Sequence, residues 1–324
     1  MSDPSPDRAA LARALDRVER LARASRLRRL AAAPARYVGA QWFRRVTYAR
    51  HRRGRAVRTP TFFGHDLEVV LPAGLDVYLL GGKGHDSELR LARLMLRELA
   101  PGGAFVDVGA HFGYFSALAA TLVGARGRVL ACEAAPRTYE VLARNLAGLP
   151  GARARHVAVA AAPATLTFAE FPVEYSEYNT LRPEQFAGAP WLAANPPREV
   201  RVEALPLDGL LAAELPGRGG VVDLVKIDVE GAEEAAVAGM ARTLADGAAR
   251  LVCMEYLTAA RGNDAHRAAM ALLRAAGYRQ HAIAPDGTLR PEDSATLERR
   301  LRAAGDDSDN VVFARPASAL PTRD

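Results

Sequence analysis

Two stretches of this 324-residue sequence put acids where a strand would meet a helix: FVDVGAHFGYFS at residues 105–116 and DLVKIDVEGAE at residues 223–233. A strand running into a helix N-terminus is anion-binding geometry, because free N–H groups and the helix dipole converge there. A dinucleotide pyrophosphate also needs G-x-G-x-x-G, so that backbone can approach it closely. Here Gly109 and Gly113 enclose Ala110 and His111, and the middle glycine is missing. Asp107 adds to the mismatch, since a carboxylate ~4 Å from a phosphate costs on the order of several kcal/mol at an effective dielectric near 20. The same carboxylate favours a ligand with positive charge. S-adenosylmethionine carries an ammonium and a sulfonium, and its ribose hydroxyls would suit Glu133, the acid that closes RVLACE 24 residues after Gly109. The candidate cofactor-binding residues are therefore Asp107, Gly109, Ala110, His111, Gly113, Glu133, Ala134 and Asp228.

In the second stretch, Val225 and Ile227 would face one side of a sheet, and Lys226 and Asp228 the other. Charged groups at such a place are costly to bury unless they are paired or used. One reading makes Asp228 or Glu230 a helix cap with Lys226 as its ion-pair partner. The other makes Asp228, Glu230 and Lys226 catalytic candidates, with Asp228 orienting an acceptor hydroxyl or taking its proton, because an alcohol is a weak nucleophile. A divalent metal on Asp228 and another acid is compatible with these residues, but no His-and-carboxylate spacing calls for one.

The elements that would position these acids alternate along the chain. AFVDVG (104–109) precedes a helix from about Gly113, and RVLACE (128–133) a helix that Pro136 can open. RHVAVA (155–160) reads as a third strand, VVDLVKID (221–228) precedes a helix from Gly231, and LVCMEY (251–256) a helix around 266–276; YRQHAI (278–283) and NVVFA (310–314) follow. This alternation predicts a mostly parallel sheet covered on both faces, with its ligand site outside the carboxyl ends of the strands. ATLTF reads as a hairpin and REVRVEAL as a strand, between the third and fourth core strands. Upstream, a helix is expected over about 86–99, and TFFGHDLEVVLPAGLDVYLLGG reads as a small antiparallel ribbon. Residues 170–197 concentrate Phe171, Tyr175, Tyr178, Phe186 and Trp191. They read equally as a lid over the acceptor, with Tyr175, Tyr178 and Asn179 as substrate candidates, or as a satellite cluster on the sheet edge. His85, Asp86 and Glu88 could reach the same cleft or cap their helix.

Charge is distributed unevenly. Residues 1–60 hold 16 arginines against 4 acids, whereas the net charge of the whole chain is only +6. Arginines interleaved with Leu11, Leu15, Val18, Leu21, Leu27 and Leu30 fit an amphipathic helix with a basic face, which could rest on an anionic membrane surface or a nucleic acid but is more often a solvated face packed on its own domain or a partly disordered tail. No nucleic-acid partner is expected. Cys132 and Cys253, the 2 cysteines, lie in apolar runs and read as small buried hydrophobes. No run of apolar residues is long enough to span a bilayer, and a cytoplasmic location is the expectation.

The stretches FVDVGAHFGYFS, VLACEAAPRTYEVLARNL, HVAVAA and DLVKIDVEGAEEAAVAGM, in this order, resemble the FkbM-type methyltransferases, a branch of the class I S-adenosylmethionine-dependent enzymes. The resemblance spans roughly residues 86–314. It implies a Rossmann-like α/β fold: a seven-stranded, mostly parallel sheet with helices on both faces and an antiparallel last strand. It also implies methyl transfer to a hydroxyl of a sugar or polyketide-like small molecule. His111 and His156 stand where the family commonly has Asn, and either could still hydrogen-bond the cofactor. The expected division is a basic helical or partly disordered leader (1–60), a ribbon and helix (61–103), the methyltransferase domain (104–316) and a tail (317–324). An NAD-dependent dehydrogenase or epimerase would want glycine at 111 and a Tyr-x-x-x-Lys pair, yet Lys83 and Lys226, the only lysines, follow Gly82 and Val225. A catalytically silent adaptor docking through the leader is the other alternative.

Overall fold

Side-chain alternation along the central strands sorts the interior into two layers, and that sorting decides which acids can reach a cleft. The computed structural model describes residues 6–215 and 221–315; the expected tail at 317–324 lies outside the described residues. The strands are β1 (Arg55–Pro60), β2 (Asp66–Leu71), β3 (Ala104–Val108), β4 (Arg128–Glu133), β5 (Ala152–His156), β6 (Ala158–Val159) and β7 (Ala164–Glu170). They continue with β8 (Arg198–Leu205), β9 (Val222–Ile227), β10 (Ala249–Leu257), β11 (Arg279–Ile283), β12 (Leu289–Pro291) and β13 (Ser308–Ala314).

The main sheet has the order β12-β11-β13-β10-β9-β3-β4-β5. Strands β5, β4, β3, β9 and β10 run parallel, and β13 is antiparallel to both β10 and β11. This is the class I methyltransferase arrangement, with the short β12 added at the edge as an eighth strand. Strand order reverses between β3 and β9, so their carboxyl ends frame the crevice in which such sheets bind ligands. Phe105, Ala131, Leu224 and Cys253 enter one layer, against the helices Asp86–Glu98 and Tyr114–Val123. Val106, Leu130, Val225, Ile227 and Met254 enter the other, with Met240, Met270 and Leu273.

Several local expectations need correction. RHVAVA is not one strand: β5 ends at His156 in the main sheet, and β6 leaves it to pair with β8 in a separate three-stranded sheet. The ribbon lies earlier than expected, as β1 against β2, and Leu75–Leu80 forms a helix. Its apolar run carries Val77 into the core as a helix does, with Gly81 in the left-handed region at its end. The helices Leu207–Glu214 and Ser294–Ala304 went unread in the sequence. The described part of the leader is folded. Helix Arg8–Ala22 buries Leu15 and Val18 in the first layer, and Arg93 donates to Asp16 at 2.7 Å and to Glu19 at 2.5 Å. No helix of the described residues is long and apolar enough to cross a membrane.

Candidate active site

The turn after β3 begins at Gly109, and its geometry tolerates no other residue. Its φ is +78°, and a Cβ there would lie 1.7 Å from the Asp228 carbonyl oxygen. The absence of a side chain thus lets the chain leaving β9 close on the turn leaving β3. Gly109 and Ala110 both donate to the Cys132 carbonyl at 3.0 Å, which draws the end of β4 in as well. Three strand ends therefore converge on one point. Gly113 (φ +84°) leads into helix Tyr114–Val123; a Cβ on it would meet Leu142 Cδ1 at 2.7 Å, so its part is packing.

A cavity of about 1440 Å³ opens over these strand ends. Among the cofactor candidates, Gly109, Ala110, His111, Glu133, Ala134 and Asp228 line it. Lys226, Glu230, Tyr178 and Asn179 line it too. Asp107 does not, which corrects its assignment as a group facing the ligand. It shares a strand face with Phe105, is 1% exposed, and accepts from Ser116 Oγ at 2.6 Å. In the next strand, at the same register, Lys226 Nζ stands 3.6 Å from Asp107 Oδ1 and 3.0 Å from Asp228 Oδ2. Burial raises the pKa of Asp107 against the opposing pull of Lys226. Lys226 is held above its ordinary value, its own burial being outweighed by Asp228 and Asp107. Asp107 is thus a buttress: it fixes the lysine that in turn holds Asp228 at the cavity wall.

Glu133 is arranged differently. Its Oε2 accepts from the His111 N–H at 2.8 Å and its Oε1 from the Ala135 N–H at 2.9 Å, which orients the carboxyl at the cavity wall. Burial pushes its pKa up to about 7 against the opposing effect of those two N–H groups. His111, itself at φ +50°, presents Nε2 to Ser176 Oγ at 2.9 Å, and burial lowers its pKa to about 4, so the ring is neutral at neutral pH. His156 lies outside the lining residues, stacked on Tyr139 with ring centroids 4.9 Å apart.

The inner end of the cavity is acidic. Asp228, Glu230 and Glu255 each bring a carboxylate oxygen within 4.8 Å of the others. Burial first, then mutual repulsion, raises the pKa of both Glu230 and Glu255 well above the ordinary value. Three such oxygens suit a cationic group, organic or a hard divalent ion. Glu255, near the end of β10, was missed in the sequence; the signal was an acid at the carboxyl end of a third core strand.

Residues 170–197 form an aromatic cluster, and part of the segment also reaches the cavity wall. Phe171, Tyr175, Tyr178, Phe186 and Trp191 pack ring against ring, with Tyr175 stacked on Trp191 at 4.5 Å. Ser176, Glu177, Tyr178 and Asn179 nevertheless line the cavity, whereas Tyr175 does not. Asn179 also accepts from the Phe171 N–H at 2.7 Å, so its carbonyl is committed to the loop. Lys83, unread as a site residue, bonds Glu177 at 2.8 Å and Glu88 at 3.2 Å and ties this loop to the upstream helix. His85 and Glu88 line the cavity; Asp86 pairs instead with Arg23 at 2.7 Å and Arg90 at 3.2 Å.

The family model of the methyltransferase FkbM domain matches residues 107–280. The chain belongs to the FkbM methyltransferase family. No curated protein sequence matches it. Among solved structures, FkbM methyltransferase from Methylobacillus flagellatus aligns at 13% identity and a TM-score of 0.36, over 74% of this chain and 52% of that one. Aeropyrum pernix fibrillarin in complex with natively bound S-adenosyl-L-methionine aligns at 13% and 0.35, over 69% and 73%. The TehB-like SAM-dependent methyltransferase of Corynebacterium glutamicum aligns at 14% and 0.36, over 70% and 88%.

As an S-adenosylmethionine-dependent enzyme, this FkbM methyltransferase must accommodate a cationic donor, and the donor set fits one. Glu133 matches ribose hydroxyls, since each carboxylate oxygen accepts more than one hydrogen bond. Asp228, Glu230 and Glu255 offer carboxyl oxygens that could face an ammonium or a sulfonium, whose positive charge would favour their ionised forms, and the Gly109 turn lets backbone stand at the wall. These four residues are the ones that could hold the cofactor, with Asp107 behind them.

Proposed function

We propose that the chain methylates a hydroxyl of a sugar or polyketide-like small molecule, with Asp228 as the group that orients the acceptor and takes its proton. The bound cofactor would supply a methyl group activated on sulfonium. Asp228 is suited to its part because one oxygen is fixed by Lys226 while 38% of its side chain stays exposed to the cavity. A carboxylate held this way has one direction in which to present its remaining lone pairs, and positioning of that kind supplies much of the rate in a displacement at carbon. Glu230 keeps its backbone carbonyl bonded to Thr180 Oγ1 at 2.5 Å and to Gln185 Nε2 at 2.8 Å, which sets the loop that carries Asp228. Tyr178 offers a ring and a hydroxyl at the acceptor side. The carrying observation is that Asp228 and Glu133 share one cavity at the strand-order reversal.

Incubating the protein with isotope-labelled S-adenosylmethionine and fractionated metabolites, followed by mass spectrometry, tests this reading. A labelled O-methyl product made by wild type and not by Asp228→Asn supports it. Label on nitrogen or carbon, or equal turnover by the variant, rejects it.

A further inference from the structure

The other end of the same cavity has the opposite character. Among the described residues only 5 large hydrophobic side chains stand exposed, and 4 of them are Leu27 (77%), Trp42 (64%), Val38 (57%) and Val46 (42%). They lie on the consecutive helical segments Arg26–Ala32, Pro34–Trp42 and Phe43–Tyr48, and all of them line the cavity mouth. Residues 20–65 contain 13 arginines and no acid. Arg26, Arg28 and Arg45 are exposed beside the apolar group and make no ion pair among the described residues.

We infer that this face docks on an anionic lipid bilayer, seating Leu27, Val38, Trp42 and Val46 among acyl chains and its arginines among headgroups. An apolar group centred on a tryptophan and surrounded by arginines is what an interfacial helix presents to anionic lipid. Charge argues against a symmetric pair of copies, which would bring arginines against arginines. Exposed leucine and valine gain nothing from a phosphodiester backbone, which argues against nucleic acid. Docking sets the cavity mouth at the membrane, so the acceptor is the polar head of an amphiphile; this last clause rests on the methyltransferase reading above.

The test is co-sedimentation of the full chain with phosphatidylcholine vesicles, with and without phosphatidylglycerol, alongside calorimetry with S-adenosylhomocysteine. The expected result is strong partitioning onto the anionic vesicles only, weakened by salt. The triple variant Arg26→Ala, Arg28→Ala, Arg45→Ala should partition on the order of 100-fold less, and Trp42→Ala about 10-fold less, each binding S-adenosylhomocysteine as wild type does. Leu272→Ala, at the exposed apolar residue outside the patch, should change neither reading. Absent vesicle binding in a chain that still binds S-adenosylhomocysteine overturns the docking and leaves the enzyme reading intact. Full partitioning of the triple variant overturns it as well, and so does a Trp42-dependent dimer without lipid binding. Vesicle binding without S-adenosylhomocysteine binding supports the docking and counts against the proposed function alone.

Discussion

The inner end and the mouth of one cavity use charge in opposite ways. At the inner end charges are few, buried and placed by strand register: Lys226 between Asp107 and Asp228, and Glu133 held by two backbone N–H groups. At the mouth they are many, exposed and on helices, with arginines repeating beside unpaired apolar side chains. A buried charge is costly to mismatch, and Asp107, Lys226, Asp228 and Glu133 each have a defined partner. Exposed charge acts by sum, and single members are dispensable. Substitutions should therefore have large, distinct effects inside and small, cumulative ones outside.

The sharpest break is Lys226→Met, which strands Asp107 without its cation; unfolding in urea should show a loss of about 3–5 kcal/mol. Adding Asp107→Asn should recover a good part of it, and full stability in the single variant would refute the buttress. Next, Asp228→Asn should lower turnover by ~10²–10⁴ with S-adenosylhomocysteine affinity within about threefold in calorimetry.

Glu133→Gln should weaken S-adenosylhomocysteine about 10-fold at pH 8, the size of one lost charge-assisted hydrogen bond. In wild type that affinity should fall as pH drops through about 7, where Glu133 takes up its proton. Stability runs the other way. The folded state raises this carboxyl from an ordinary 4.5 to about 7, so it binds the proton more tightly than the unfolded chain does. The resulting stabilisation is complete below about 4.5 and is lost as pH rises to about 7. The wild-type urea midpoint should accordingly carry a component that falls between pH 4.5 and about 7; Glu133→Gln does not isolate it, because its amide nitrogen must face the N–H of His111 or Ala135. The smallest effects separate two tyrosines. Tyr178→Ala should raise the acceptor KM, whereas Tyr175→Phe should leave KM unchanged and shift stability by no more than ~0.5 kcal/mol.

Much of this was readable from residue order. The runs AFVDV, RVLACE and VDLVKI became the parallel strands β3, β4 and β9, and Gly109 marked the turn between them. The parity rule applied to Lys226 also applied to Asp107: alternate residues of a strand share a face, so an acid two residues before the turn points into the layer behind the site. What could not be read depended on distant partners. The run DVYLL has no period long enough to separate helix from strand, and its packing chose helix. The break at His156 arises because β6 finds β8 some forty residues later. Tyr175 and Tyr178 are alike in sequence and both stack on Trp191; only the folded loop shows that Tyr178 also lines the cavity and Tyr175 does not.

The helix Arg8–Ala22 has a practical consequence for handling the enzyme. Because Leu15 and Val18 are sunk beside Leu89 and Met95, with Arg93 clasping Asp16 and Glu19, this helix is a wedge in the body of the molecule. Deleting the residues up to Ala22 would open that seam over Leu89 and Met95, and the shortened product should come out of expression as insoluble material.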